Sequence, residues 1–280
     1  MKLSQRIFVL LLAIGLLAGC NTSPKLPAQS LQHNNMYSTL WVQTSAEYKA
    51  NTLQTFRNAK MQLAAAKADT DWRAMLEQSG DATELPPAIV LDVDETVLDN
   101  SPFQAMMVKT NTSFNLSAWD NWIALAQAKA VPGAVDFINA ALEQGIEVIY
   151  LTNRECSMRQ GNDSTCPQVA DTANNLRAVG ITSVNDELVL LKSGQAGWGS
   201  EKQSRREYLA DKYRVLMLFG DDFGDFLPNV KKNITHERRA ELVDEYQHYW
   251  GTKWFALTNP TYGSWQGVLQ GEKSDYLMDY

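Results

Sequence analysis

Three short apolar runs in this chain each end in a cluster of polar groups: "AIVLDVDE" (88–95), "IEVIYLTNR" (146–154) and "RVLMLFGDDFGD" (214–225). Runs of four to eight apolar residues bounded by turn formers predict strands buried on both faces. The stretches between them carry helix signals. "VPGAVDFINAALEQG" has Pro132 near its start and Gly145 as a stop. Residues 167–179 predict a helix closed by Gly180, "DELVLL" a further strand, and "EKQSRREYLADK" another helix. Strands that alternate with helices of this length dictate βαβ units. The expected fold is α/β, a mostly parallel sheet with helices on both faces. Ligands of such sheets bind beyond the carboxyl ends of the strands, where the polar clusters fall.

Two further segments decorate this core. Tyr37, Leu40, Trp41, Thr44 and Tyr48 have helical spacing, which predicts one or two helices running to about Gln78 before "SGDATELPP" breaks the pattern. Residues 103–130 mix polar and aromatic side chains, with Trp119 and Trp122 among them, and predict an inserted helical lobe or cap. The formal charge of −7 and a pI of about 5.1 argue against a basic groove for nucleic acid.

The amino terminus predicts export. Lys2 and Arg6 precede an apolar run from Ile7 to Leu17, too short to span a bilayer and suited to a signal-peptide core. "LAGC" then resembles the lipobox of bacterial lipoproteins. Residues 1–19 are expected to be a signal peptide, Cys20 the lipidated residue, and residues 20–35 a polar tether to a domain spanning 36–280. An ordinary secretory cleavage with Cys20 incidental is the alternative. Asn21 after the cysteine suits an outer membrane, so the expected location is the cell envelope, lipid-anchored. Cys156 and Cys166 remain, and an oxidising compartment favours a disulfide between them. A metal pair or a reactive thiol is the alternative, without His or Cys neighbours to support it.

The polar clusters suggest chemistry. Asp92 and Asp94 are two apart as the chain leaves a strand, so they share a side. Carboxylates so close raise each other's proton affinity unless a cation sits among them, and a hard divalent ion such as Mg²⁺ suits oxygen ligands. Asp221 and Asp225 are four apart, the spacing that shares a face on a first helical turn. Thr152 and Asn153 lie at the strand end between them, and Lys202 is a candidate cation, with Lys192 its rival. Glu95 and Asp99 are read as local structure, and Asp222 as structural support. Each feature alone is weak; their order, each near a strand end, is specific.

That order resembles the haloacid-dehalogenase (HAD) superfamily of phosphohydrolases. "VLDVDETVLDNSPF", "AVPGAVDFIN", "YLTNR" and "GDDFGDF" together look like the class C acid phosphatases, and within them the bacterial outer-membrane lipoprotein e phosphatases. The resemblance covers roughly residues 36–270 and implies a Rossmann-like core with a small helical cap. It implies one Mg²⁺ per site, held by Asp92, Asp221, Asp225 and the main-chain carbonyl of Asp94. It gives Asp92 the role of nucleophile and Asp94 that of general acid, then base. Thr152 and Lys202 would hold the phosphoryl oxygens, with help from Asn153 at the "LTNR" turn. Trp119 and Tyr262 match positions that stack on the base of a nucleoside monophosphate, while Trp122 is read as facing the core. The partners implied are small phosphorylated metabolites, nucleotides foremost, and a membrane through the lipid; oligomeric state is left open. Asp222 stands where relatives often carry Asn, which adds negative charge beside the metal. Competing readings are a haem- or ligand-binding lipoprotein, since some relatives bind haem or serve as storage proteins, and a nucleoside phosphotransferase. The disulfide expectation has a direct check: alkylation of unreduced, delipidated protein should label neither Cys156 nor Cys166, and labelling of both would refute the bond.

Overall fold

The computed structural model describes residues 33–280, so the signal segment, Cys20 and most of the tether lie outside the described residues. Two helices come first, α1 (Met36–Thr44) and α2 (Ala46–Ala68). Ser45 separates them: its extended backbone stops α1, and its hydroxyl accepts the Tyr48 N–H as the N-cap of α2. This break changes which face is buried. Tyr37 and Leu40 are exposed, whereas Tyr48, Thr52, Phe56, Ala59, Leu63 and Ala66 form the buried stripe of α2 at steps of three and four. The helix also stops well short of Gln78. Arg214, distant in sequence, donates to the carbonyls of Ala66, Lys67 and Asp69, satisfying the acceptors that a helix end leaves open.

The remaining elements follow in the order β1 (Pro87–Leu91), β2 (Leu98–Asp99), α3 (Ser101–Thr110), α4 (Leu116–Leu125), β3 (Lys129–Ala130), α5 (Ala134–Glu143) and β4 (Glu147–Glu155). Then come α6 (Pro167–Ala178), β5 (Val189–Lys192), α7 (Gln203–Ala210), β6 (Arg214–Gly220), α8 (His236–Glu245), β7 (Trp254–Ala256) and α9 (Ser264–Gly267). The main sheet has the order β5-β4-β1-β6-β7, and every pairing in it is parallel. Along β1, Ile89 and Leu91 face the layer that includes α2, α5 and α6, while Ala88 and Val90 face Leu209, Trp198 and Phe226 on the other side. Burial on both faces is why this strand reads as an unbroken apolar run. The chain passes from β1 to β4 and β5 on one side, then to β6 and β7 on the other. The crevice between the ends of β1 and β6 is therefore the topological switch point.

The cap is inserted after β1. The chain leaves the core through β2 and returns through β3, which pair antiparallel, Leu98 with Ala130 and Asp99 with Lys129. Helices α3 and α4 lie between. Asn111 ends α3 in the left-handed conformation, and Asn115 caps α4 by accepting the Ala118 N–H. The cysteine pair is bonded, with Cα atoms 4.9 Å apart, and closes the loop between β4 and α6.

Some elements differ from expectation. Strand β4 continues to Glu155, so Thr152, Asn153 and Arg154 stand within the strand rather than beyond it. "DELVLL" divides into a 3₁₀ turn, Asp186–Leu188, and β5. Helix α8 and strand β7 carried no usable signal: α8 buries none of its residues, and β7 is three residues long. Among the described residues no helix is long and apolar enough to cross a membrane.

Under the switch point lies an aromatic stack. Phe219 of β6 has ring centroids 5.7 Å from Phe56, 4.7 Å from Phe137 and 4.9 Å from Phe255. Such offset rings add to the area they bury. Phe219→Ala is expected to cost about 3–5 kcal/mol, seen as a lower urea midpoint at unchanged slope.

Candidate active site

Asp92 is the first residue past β1. Its N–H donates to the Phe219 carbonyl at 2.9 Å, which extends the ladder with β6 by one rung and fixes where the carboxylate emerges. Asp221 follows β6 directly. Asp225 comes back to the same point through a 3₁₀ turn, Phe223–Asp225, rather than the first turn of an α-helix. A capping box shapes that turn: Asp222 accepts the Gly224 N–H at 2.8 Å, and Asp225 Oδ2 accepts the Asp222 N–H at 3.0 Å. Gly220 is required here, because a Cβ on it would collide with the Asp225 carboxylate.

Asp92, Asp221 and Asp225 each present a carboxylate oxygen within 4.8 Å of the other two, and Asp92 and Asp225 are buried. Among the described residues one ammonium bridges two of them. Lys202 Nζ lies 2.5 Å from Asp92 Oδ1 and 2.6 Å from Asp225 Oδ1, and is itself buried. Lys192 is elsewhere, 2.5 Å from Glu155, so Lys202 is the lysine of the site.

A single ammonium cannot balance three carboxylates. Burial pushes Asp92 up to about 7; Lys202 opposes this, while Asp225 and Asp94 add to it. Burial raises Asp221 well above the carboxylate range, with Asp92 and Asp225 reinforcing the shift. Burial works against the charge on Lys202, but Asp225 and Asp92 hold its pKa above that of an ordinary lysine. The cluster is short of positive charge, and its donors are hard oxygens. That combination fits a divalent cation such as Mg²⁺.

Asp94 is committed differently. Its carboxylate receives Arg154 Nη2 at 2.8 Å and Nε at 3.1 Å, Asn100 Nδ2 at 2.9 Å and the Thr152 hydroxyl at 3.2 Å. Arg154 is buried and also donates from Nη1 to Thr172 Oγ1 of α6 at 3.0 Å. Its fork holds Asp94 in one orientation. Period two along β4 puts Arg154 on the same side as Thr152.

The Asn153 side chain does not reach the site: it accepts from Arg205 at 2.6 Å and donates to the Ser200 carbonyl at 3.1 Å, leaving only its main chain for a ligand. Glu95, at φ 60°, is buried, accepts the Asn100 N–H at 3.0 Å and receives the Tyr262 hydroxyl. Burial, then Asp94 and Asp221, raises its pKa well above the usual range. Asp99 accepts the Ser101 N–H at 2.8 Å at the start of α3. Asp99 thus bonds locally, whereas Glu95 also reaches a residue far along the chain. Burial penalises charge on Asp222, but hydrogen bonds from Ser264 and Gly224 and the charge of Lys231 hold its pKa below the usual range. Its charge is held by these donors, yet it still adds to the upward shift of Asp221.

Trp119 is half-buried on α4, edge-on to Phe103 at 5.0 Å and with the Arg154 guanidinium 5.9 Å from its ring centroid. Trp122 donates its indole N–H to Asn100 Oδ1 at 2.8 Å and packs on the core. Asn259, which no pattern singled out, donates to Asp221 Oδ2 at 2.7 Å and orients it.

Residues 23–265 match the family described as HAD superfamily, subfamily IIIB (Acid phosphatase). Two solved structures of the class C acid phosphatase from Bacillus anthracis superpose with a TM-score of 0.72. The one with tungstate bound is 32% identical, covering 89% of this chain and 99% of that one. The other is 31% identical and covers 89% and 98%. Among curated proteins, the stem 31 kDa and stem 28 kDa glycoproteins of Glycine max are 24% and 27% identical over 142 and 143 residues. These matches take in 49% of this chain, and the chain spans about half the length of the curated relatives it matches.

A cation that neutralises the carboxylates should stabilise the fold. With Mg²⁺ at about a hundredfold over its Kd, the gain is about 2.7 kcal/mol, read as a rise in Tm. Asp221→Asn should melt higher than the wild type without metal, since it removes one of three repelling groups, and should lose the metal-dependent rise.

Proposed function

The chain belongs to the acid phosphatases of HAD subfamily IIIB, a family of phosphoric monoester hydrolases, and we propose that it hydrolyses phosphate monoesters through a phosphorylated Asp92. The observation that carries this reading is the placement of Asp92. It is buried at the end of a central strand, 2.5 Å from Lys202, with Asp94 two residues on and oriented by its own set of donors.

In the first step an Asp92 oxygen attacks phosphorus, and the bond to the ester oxygen breaks. Asp94 gives its proton to the departing alkoxide. In the second step water attacks the phosphorus of the aspartyl-phosphate and gives a proton to Asp94. Phosphate leaves and the Asp92 carboxylate is restored. Lys202 is a donor to the phosphoryl oxygens, where charge must be held in the transition state, and the Thr152 hydroxyl becomes a second once it turns from Asp94. Mg²⁺, when bound by Asp92, Asp221, Asp225 and the Asp94 carbonyl, would offset the charge of the carboxylates and of the phosphoryl group. Arg154 and Asn100 keep Asp94 aimed throughout.

The substrates we propose are nucleoside 5'-monophosphates, with Trp119 and Tyr262 flanking the base. Stacking of this kind tolerates any base. Tyr262 is tied through its hydroxyl to Glu95, next to Asp94 in sequence, which sets its distance from the reacting group. Residue Cys20 supports a lipid anchor and a site in the cell envelope, and the Cys156–Cys166 bond agrees with an oxidising compartment. Tungstate, the tetrahedral oxyanion held by the Bacillus anthracis protein, should compete with substrate here.

Asp92→Asn should abolish hydrolysis of a chromogenic aryl phosphate, and EDTA should silence the wild type until Mg²⁺ is restored. Asp94→Asn should lose about 10²–10⁴-fold in rate, more for alkyl than for aryl leaving groups. Rapid acid quench with labelled substrate should trap phosphate on the wild type and none on Asp92→Asn. Full activity of Asp92→Asn would refute the covalent route.

A further inference from the structure

Asp120 follows Trp119 on α4 and is gripped from outside the cap. Arg159 donates to both of its carboxylate oxygens, Nε to Oδ2 and Nη2 to Oδ1, each at 2.7 Å. The other edge of the same guanidinium donates from Nη1 to Asp171 Oδ2 on α6, also at 2.7 Å. Gln168 of α6 adds a bond to Asp120 Oδ1 at 2.8 Å. A planar fork held at both edges has little freedom to rotate. The three charged side chains are between 20% and 26% exposed, so water screens them less than it would an isolated surface pair.

Arg159 stands on a loop that is itself closed. Cys156 follows β4 directly, Cys166 precedes α6 directly, and their disulfide pins the loop at its base. The Ser157 N–H donates to Gln168 Oε1 at 3.2 Å, a second tie across the same base. The reaction described above uses none of these groups. Trp119 meets Phe103 and Phe114 through ring contacts, at 5.0 and 6.2 Å between centroids, and the Arg154 guanidinium lies 5.9 Å from its ring centroid. Helix α4 has one further polar tie to the core on this side, Trp122 to Asn100. The Asp120–Arg159 fork is the tie adjacent to Trp119.

We infer that Arg159 is a positioning residue that sets the ring of Trp119 against the substrate base, and that the Cys156–Cys166 disulfide holds Arg159 in place. Recognition of the base then depends on the oxidation state of this loop, while phosphoryl chemistry does not. A dithiol that reduces the bond is oxidised to its own disulfide, and both cysteines take up a proton to become thiols. The inference rests on the reading of Trp119 as a base-stacking residue.

The test compares AMP with ribose 5-phosphate, which lacks the base, in steady-state assays on the full domain. Arg159→Met should raise KM for AMP about tenfold, the scale of one weakened stacking contact, with kcat unchanged. Both constants for ribose 5-phosphate should be unaffected. Arg159→Lys should recover part of the loss, since it restores the charge but not the fork. Wild type reduced with dithiothreitol and alkylated should shift the AMP KM in the same direction, and the same treatment should add little to Arg159→Met, because the two act through one path. Asp120→Asn is the second variant, milder in its effect on folding. Equal losses on both substrates would show a merely structural role and overturn the inference. If Trp119→Ala loses the preference for AMP and Arg159→Met does not, the positioning role falls alone. If neither variant changes the preference, the stacking reading falls and takes this inference with it.

Discussion

Everything at the catalytic end of this fold is arranged around one shortage: Asp92, Asp221 and Asp225 converge, and the Lys202 ammonium pairs with two of them, Asp92 and Asp225. Like charges buried within 4.8 Å are costly, and a sheet edge that gathered them without recompense would not persist. The fold tolerates the crowding because each carboxylate is fixed by a separate piece of chain. Asp92 is set by the β1–β6 ladder, Asp221 by Asn259, and Asp225 by the turn that Asp222 caps. None can swing away to relieve the repulsion. The strain is met instead by Lys202 and by whatever cation the oxygens capture.

The sheet supplies the rigidity that this requires. Five parallel strands, apolar on both faces, put their carboxyl ends at one edge, and the strand order reverses beside β1. The stack of Phe56, Phe137, Phe219 and Phe255 lies below, so the residues just past Phe219 emerge from a packed base. A charged cluster on such a support has little room to relax, which is the condition for electrostatic preorganisation.

Much of this was legible in the sequence because the site residues follow apolar runs that announce themselves. Asp92, Asp221 and Thr152 could be placed from strand ends alone. The cap was legible as an aromatic-rich insertion between two core signals. What escaped had no local pattern. The partners of Asp94 come from Asn100 and Arg154, 6 and 60 residues away, and Asn259 meets Asp221 from 38 residues on. For Asn153 the sequence did not show where the side chain goes: alternation along β4 sends it to Arg205, which leaves the main chain to face a ligand. Helix α8 was silent because it contributes no buried face, and α2 ended early because Arg214 caps it from across the sheet. Choosing between Lys192 and Lys202 also needed three dimensions, because only the course of the loop between them decides which one arrives.

The chain leaves and re-enters the core through a ladder of two residue pairs, Leu98 with Ala130 and Asp99 with Lys129. The narrow joint does not insulate the insertion, because Trp122 bonds the Asn100 that holds Asp94. A shift of α4 can therefore be felt at a reacting carboxylate through a relay of two hydrogen bonds, so the part that meets the substrate and the part that cleaves it are mechanically in series.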